Sequence, residues 1–395
     1  MNPKTSFLNK YYLFCLFSSA DFTRGIHLVY LLNLGFSNSY TGIAQTVLFF
    51  TTFIFEIPLG YLSDKYKHKY TIFLGVLCFI FSCVIYLTSQ NQFVLPLLYF
   101  LQGLGYAFYS GATFSLLYNR FSNEAEDQVT KYLAASRRIS MLSLAVATIV
   151  GGFLANINWN YVFVLFLIFN IFAAITISLI DEPRDENKEE EADTKNEKIK
   201  LKTVLIEQKR IFILVFGLAF LEAFHTPFFI FFQNYLELEG LSIGWISTVI
   251  ASAIVISSFV LILEKRVRDI NIFKKMNLTI LSLLPILLVL YFTNNIYVSV
   301  ALFILINSLP SLLFVFTDDY LNQEIPDHVR ATFMSIVSLI NSVLISIIYL
   351  TFGSLFDQLD HLLTISLLGI LLIPSLILIN YFKKQNKKNA IQAKR

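Results

Sequence analysis

The sequence predicts an all-α membrane protein that crosses the bilayer twelve times, and its composition is the first indication. Of its 395 residues, 56% are hydrophobic and only 14% are charged, whereas a soluble domain is about 45–50% apolar and about 25% charged. This composition excludes a secreted enzyme, a nucleic-acid-binding protein and a disordered scaffold. The forty Phe residues lie in long apolar runs, which is not the alternating pattern of an outer-membrane barrel.

The second indication is the number of apolar windows long enough to cross a bilayer, which takes about 20 residues. Twelve such windows follow one another along the chain. They cover residues 11–34, 41–62, 70–89, 94–119, 131–155, 160–180, 211–236, 243–263, 272–292, 296–317, 331–354 and 361–382. No cleavage site follows the first window, so we expect it to remain as a signal anchor.

The third indication is the placement of Lys and Arg. If the N-terminus is cytoplasmic, the segments on the inside hold 29 of the 30 basic residues and the outside loops hold none. The thirtieth is Arg24, inside the first span. Because cytoplasmic loops are enriched in Lys and Arg, this pattern predicts a multi-pass protein of the cell membrane with both termini in the cytoplasm.

The long polar stretch at 181–210 predicts the domain organisation. It separates an N-terminal half (1–180) from a C-terminal half (211–382), and a basic cytoplasmic tail follows at 383–395. Two spacings relate the halves: Gly42 and Gly244 are 202 residues apart, and Gly152 and Gly353 are 201 apart. These spacings predict a duplicated six-helix unit with a substrate site near the midplane.

Ionisable residues within the spans are the main candidates for a site, because each costs about 2.5–3.5 kcal/mol to insert. On a continuous helix, Asp21, Arg24 and His27 share one face of the first span. Glu222 and His225 occupy the corresponding depth of the seventh. These groups either form structural ion pairs that lock each helix or bind substrate or protons, and two basic groups suit an anionic or zwitterionic substrate.

Other polar residues within spans are secondary candidates. Glu56, close to Pro58 in the second span, is either a proton-linked carboxylate or a partner of the inner gate. Possible cavity-lining residues are Gln102, Tyr106, Asn307 and Asn341. No nucleotide-binding or zinc motif is present, so we expect a protein without enzymatic activity, cofactor or metal, and Cys15, Cys78 and Cys83 are expected to be buried thiols.

The loop after the second span reads Gly60-Tyr61-Leu62-Ser63-Asp64-Lys65-Tyr66-Lys67-His68-Lys69. It resembles the G-x-L-a-D-r-x-G-r-k motif of the major facilitator superfamily of twelve-span transporters. The resemblance implies a cytoplasmic gate motif made of Gly60, Leu62, Asp64, Lys65 and Lys69. Lys67 replaces the second Gly of that motif, which puts its tight turn in doubt. Residues 55–60 and 330–335 resemble stretches of a bacterial efflux-permease branch of the superfamily.

Two departures from that superfamily weaken the prediction of a drug/proton antiporter. Tyr99 stands where the motif of the fourth span has a proton-relay Arg, and the fifth-span antiporter motif lacks its Pro at residues 147–152. The leading hypothesis is still a monomeric secondary transporter in the lipid bilayer that exports a small organic molecule by proton exchange and binds no nucleic acid. The alternatives are an uptake symporter or uniporter of the same fold and, remotely, a polytopic sensor.

Overall fold

The computed structural model describes residues 3–121, 124–182, 208–260, 267 and 269–392. This part of the chain is helical, without a β-strand. Its helices, in chain order, are α1 (Pro3–Ser18), α2 (His27–Asn33), α3 (Asn38–Lys65), α4 (His68–Thr88), α5 (Leu95–Tyr109), α6 (Ala112–Phe121), α7 (Glu126–Ala155), α8 (Trp159–Ser178), α9 (Ile211–Leu238), α10 (Ile243–Val260), α11 (Ile272–Phe292), α12 (Ile296–Glu324), α13 (Asp327–Phe356), α14 (His361–Leu367) and α15 (Leu372–Gln392), with a 3-10 turn at Leu368–Leu371. Most of the linker 181–210 lies outside the described residues.

Ten helical stretches among the described residues are long and apolar enough to cross a membrane. The all-α polytopic class predicted from the sequence is therefore confirmed. Two of the twelve predicted spans are not among these ten, because each is divided between two shorter helices. The span 94–119 is split into α5 and α6, which meet at Gly111 with a left-handed φ of +74°.

The first predicted span is also divided, so the prediction of one continuous helix over 11–34 is wrong. Residues 19–26 lie between α1 and α2 and are not helical. Within this break, Oδ1 of Asp21 accepts hydrogen bonds from the backbone N–H of Thr23 at 2.9 Å and from its hydroxyl at 2.7 Å. An Asp that bonds its own backbone two residues onward competes with helix formation, which accounts for the interruption.

The described chain forms two compact units. Unit 1 comprises residues 1–35, 44–197 and 241–251, and unit 2 comprises residues 36–43, 198–240 and 252–395. The first residues of α3 thus belong to unit 2 and those of α10 to unit 1. The division into halves at 1–180 and 211–382 stays a prediction.

The glycines whose spacings predict an internal repeat lie where helices approach closely within each unit. In unit 1, a Cβ on Gly152 of α7 would collide with Ser247 of α10, and a Cβ on Gly244 would lie 2.8 Å from the Phe153 ring. In unit 2, a Cβ on Gly353 of α13 would lie 2.7 Å from the carbonyl oxygen of Asn38. Such contacts leave no room for a side chain, which is how small residues permit close helix packing in membranes.

Aromatic side chains fill much of both cores. In unit 2, Phe228 and Phe232 of α9 stack on Phe303 of α12, with ring centroids 5.9 and 4.5 Å apart. In unit 1, Cys15 and Cys83 are buried free thiols, as the sequence predicted, whereas Cys78 is only half-buried, so the prediction was wrong for Cys78. The core of unit 1 surrounds the cavity described next.

Candidate functional site

Unit 1 contains a cavity of about 770 Å³, within the range of about 300–1,000 Å³ that is usual for ligand pockets. The α1–α2 break and the helices α1 and α4–α8 line it. Among the described residues, three charged side chains line it: Asp21 and Arg24 from the break, and Arg137 from α7. The cavity therefore has two guanidinium groups and one carboxylate in a unit built from membrane-spanning helices.

Asp21 and Arg24 reach the same cavity although they do not lie on one helix. The predicted shared face assumed 100° per residue, which does not apply in the non-helical residues 19–26. The turn at Asp21 holds its carboxylate in place through Thr23. Unwound segments of transmembrane helices commonly line substrate sites, so the break itself is a candidate site element.

Arg137 is the residue that sequence reasoning missed. It belongs to the basic residues assigned to the cytoplasm, yet it is the seventh residue of the predicted span 131–155. That overlap was a signal that could have identified it. Ser136, Ser140 and Met141 line the cavity beside it, so one face of α7 contributes both apolar and polar groups.

Aromatic side chains also line the cavity. Phe79 of α4 packs edge-on against Tyr106, with ring centroids 5.1 Å apart, and lies 5.5 Å from the ring of Tyr109. Phe14 of α1 contacts Tyr109 at 6.1 Å. Tyr106 thus lines the cavity of unit 1. The Tyr109 hydroxyl is buried and has no hydrogen-bond partner among the described residues.

Other predicted residues of unit 1 lie outside the cavity lining. The Nε2 atom of His27 is 2.6 Å from Nε2 of Gln45, and buried Gln102 is not a lining residue. Glu56 accepts a 2.7 Å hydrogen bond from the hydroxyl of Ser110, at the junction of α5 and α6. Binding roles for these three predicted residues stay predictions.

Unit 2 contains a separate polar cluster around Glu222 of α9. Its Oε2 accepts a 2.6 Å hydrogen bond from Nδ2 of Asn341 on α13, and Asp318 of α12 is close enough to interact with it electrostatically. The ring of His225 packs edge-on against Phe314 with centroids 5.8 Å apart. Its Nε2 is buried without a hydrogen-bond partner in the described part of the chain.

The side chain of Asn307 takes no part in the hydrogen bond between Glu222 and Asn341. Its Nδ2 donates to the carbonyl of Phe303 at 2.8 Å, one turn back along α12, and its buried Oδ1 has no partner among the described residues. The structure therefore unites Glu222 with one of the two predicted asparagines, Asn341.

The family model of the Major Facilitator Superfamily matches residues 13–349. The chain belongs to this superfamily. Among curated proteins, it is 27% identical over 224 residues to an uncharacterized transporter of Buchnera aphidicola subsp. Schizaphis graminum (strain Sg). That alignment covers 56% of this chain and 55% of the relative, so the chain spans about half the length of the relative it matches.

Solved structures of superfamily transporters show the same fold at low sequence identity. The nucleoside transporter NupG, in a mutant form, matches with a TM-score of 0.74 at 15% identity, covering 97% of this chain and 99% of that one. A bacterial homolog of the human lysosomal transporter Spinster matches at 0.70 and 12%, covering 96% of both. The D-xylose-proton symporter matches at 0.68 and 13%, covering 95% and 96%.

The superfamily loop motif connects α3 to α4 without needing its second glycine. Lys67, which replaces that glycine, has φ −66° and ψ 129°, an extended conformation open to any residue. The carboxylate of Glu182 accepts hydrogen bonds from the backbone N–H groups of His68 and Lys69 at 3.0 and 2.9 Å. It thereby caps the N-terminus of α4, and the doubt about the turn is resolved.

The remaining residues predicted for the gate have different surroundings. The ammonium group of Lys69 donates to the carbonyl of Ile180 at 3.0 Å, and that of Lys65 lies 6.0 Å from the centroid of the Tyr66 ring. Gly60 has open space around it, and Leu62 is half-buried at the end of α3. The side chains of Asp64 and of residues 330–332 lie outside the described part. A gate role is still a prediction.

The two superfamily motifs that this chain modifies occupy packed positions. Tyr99, in place of the relay Arg, is buried in α5 with 1% of its surface exposed. Gly151, at the end of the altered fifth-span motif, faces the backbone of Phe22, where a Cβ would collide with the carbonyl group. In this chain the motif residue therefore lets α7 approach the α1–α2 break.

Proposed function

We propose that this superfamily transporter works by secondary active, alternating-access transport and exports a small organic compound in exchange for protons. The observation that supports this proposal is the unit 1 cavity with Asp21, Arg24 and Arg137. Charges within membrane spans are expensive, at about 2.5–3.5 kcal/mol each on insertion scales. Since charges of this kind mark substrate and ion pathways, the cavity is the candidate substrate site.

Glu222 is the candidate for the proton-coupling group. Its hydrogen-bond donor is the neutral amide of Asn341, and among the described residues the charged group that acts on it is another carboxylate, Asp318. A carboxylate held by a neutral partner can gain or lose a proton without breaking an ion pair. His27, Glu56 and His225 are further candidates for proton or substrate binding.

An uptake symporter or uniporter is the second candidate function. The absence of the relay Arg at Tyr99 and of the Pro in the fifth-span motif favours it, since both departures separate this chain from drug/proton antiporters. A fold neighbour is, by its name, a proton symporter for D-xylose. Either direction would use the same cavity.

The proposal also includes the membrane location, the topology and the oligomeric state of the protein. We place it in the cell membrane with both termini in the cytoplasm, because the basic residues segregate by loop. We also propose that it is a monomer. The loop motif Gly60, Leu62, Asp64, Lys65 and Lys69 would then lie at the cytoplasmic face and act as the inner gate.

The test measures substrate accumulation in cells with and without the gene, each with and without an uncoupler. Export predicts lower accumulation in expressing cells and loss of that difference when the proton gradient collapses. Higher accumulation would establish uptake instead, and an identical difference with the uncoupler would exclude proton coupling.

The role of Glu222 is tested with Glu222→Gln, which keeps the shape of the side chain and removes its charge. We expect the variant to reach the membrane and to lose gradient-dependent transport. The matched control is Glu239→Gln, which neutralises an exposed carboxylate at the end of the same helix. Full dependence on the proton gradient in Glu222→Gln would exclude Glu222 as the coupling group.

A further inference from the structure

We propose that the unit 1 cavity binds an organic monocarboxylate with an aromatic or apolar body, and that Arg137 is the residue that holds its carboxylate. This inference rests on the proposed transport function and specifies its substrate class. Three features of the cavity lead to it: its balance of charge, the state of its hydrogen-bonding groups and the chemistry of its walls.

The net charge of the cavity lining favours a ligand with one negative charge. The cavity lining includes two guanidinium groups, those of Arg24 and Arg137, and one carboxylate, that of Asp21. Arg stays protonated in proteins, so the described part of the lining carries one positive charge in excess when Asp21 is ionised. A monoanion would neutralise it, whereas a dianion or a cation would leave a net charge in the membrane-spanning unit.

Asp21 and Arg137 differ in whether their side chains already have hydrogen-bond partners within the protein. Asp21 already accepts two hydrogen bonds from Thr23 through Oδ1, and these hold it in the turn. Arg137 is exposed on α7, and no described residue accepts a hydrogen bond from it or pairs with it. Its five N–H donors form a planar fork that suits a carboxylate in bidentate geometry. The unsatisfied group is thus the one that binds anions.

The walls define the body of the ligand. Phe14, Phe79 and Phe166 line the cavity with Tyr106 and Tyr109, and an aromatic or branched apolar group can pack against their rings. The volume of about 770 Å³ leaves room for a molecule larger than acetate. A sugar or a nucleoside carries no charge and would leave the excess positive charge of the described lining without a counter-ion.

The test uses three probes with one body and different head groups: 3-phenylpropionate, its neutral amide 3-phenylpropanamide, and the cation 3-phenylpropylamine. Each is titrated at millimolar concentration against the full-length purified protein in lipid nanodiscs, and thermal stability and calorimetry report binding. We expect the carboxylate to bind and the amide and the amine not to. Equal binding of all three probes, or no binding of the carboxylate, would overturn the proposal.

Two variants assign the binding to Arg137. Arg137→Gln should weaken carboxylate binding by at least about tenfold, as expected for loss of a hydrogen-bonded charge pair. Arg138→Gln is the matched control, because Arg138 is the adjacent exposed residue and does not line the cavity; it should bind as the unchanged protein does. Equal losses in both variants would point to net charge alone and contradict the assignment.

A third variant separates binding from folding, and counterflow separates binding from transport. Arg137→Lys keeps the charge without the planar fork, so we expect intermediate affinity at unchanged thermal stability of the unliganded protein. If Arg137→Lys bound 3-phenylpropionate as tightly as the unchanged protein does, a bidentate contact between Arg137 and the carboxylate would be excluded. In proteoliposomes, binding of 3-phenylpropionate without counterflow of it would count against the transport function and leave the binding proposal intact.

Discussion

Asp357 and Asn38 are 319 residues apart in the sequence, yet Oδ1 of Asp357 accepts hydrogen bonds from the backbone N–H and from Nδ2 of Asn38, at 2.9 and 3.1 Å. Its Oδ2 accepts a third from the backbone N–H of Ser39 at 2.9 Å. A carboxylate at the end of α13 thus satisfies the first N–H groups of α3, which lack partners within their own helix.

Removing this cap should destabilise unit 2. We expect Asp357→Ala to lower the free energy of unfolding by about 1–2 kcal/mol, the usual effect of losing a helix cap. The melting temperature of the purified protein measures it. Asp269→Ala is the control, because Asp269 is exposed and makes no hydrogen bond in the described part of the chain. Equal melting temperatures for the two variants would contradict the capping role.

The same cap predicts a pH dependence. Partial burial raises the pKa of Asp357, but the hydrogen bonds from Ser39 and Asn38 lower it by more, so this pKa lies below its usual value. The cap therefore stabilises the folded protein above the unfolded pKa of about 3.9, and this contribution disappears as the pH falls through the lower folded-state pKa. The difference in melting temperature between the unchanged protein and Asp357→Ala should be constant from neutral pH to about pH 5 and should shrink below about pH 4.

Gly151 should not tolerate a methyl group. Because a Cβ there would collide with the backbone carbonyl of Phe22, we expect Gly151→Ala to cost about 1–3 kcal/mol, as overpacking does. Gly60→Ala is the control, since Gly60 is also helical and has nothing within 4 Å of a built Cβ. Thermal melting of both variants is the measurement, and a stability of Gly151→Ala equal to that of Gly60→Ala would refute the contact.

Asp21 holds a turn through Thr23 and is proposed to bind substrate or protons, and two substitutions can separate these roles. Asp21→Asn keeps an oxygen that can accept from Thr23, so we expect normal stability with impaired transport. Asp21→Leu removes the turn and should also lower the free energy of unfolding by about 1 kcal/mol, typical of lost hydrogen bonds. Active transport by Asp21→Asn would leave Asp21 as a structural residue.

A double variant tests whether Asp21 and Arg24 only lock the helix break. If they do, Asp21→Asn with Arg24→Gln should be milder than either single change, because each single change leaves one charge uncompensated in a low dielectric. If they bind substrate or protons, the double variant should insert normally and fail to transport. Quantified membrane insertion and transport activity distinguish the two.

Reporter fusions test the predicted topology. Fusions at Lys67, Lys195 and Lys387 should report a cytoplasmic location, because basic residues concentrate in the loops assigned there. Fusions at Asn91, Asn158 and Asp360 should report the opposite side. A cytoplasmic signal from any of these last three would contradict the twelve-span arrangement.

The amino-acid sequence determined the fold class and the family through properties that act locally. A run of apolar residues must form a helix in lipid, because backbone groups find no other partners there. The loop from Gly60 to Lys69 resembles the superfamily motif through its residues alone, independently of any tertiary contact. The repeat glycines Gly152, Gly244 and Gly353 likewise marked positions where helices later proved to be in contact.

The tertiary structure decided which polar residues share a site. Helical periodicity placed Asp21 and Arg24 on one face, but the break at residues 19–26 brings them to the cavity by a different local geometry. Arg137 joins them from a helix more than a hundred residues onward, and Asp357 meets Asn38 from the other end of the chain. No local sequence pattern predicts such long-range contacts, because they depend on how separate helices pack against one another.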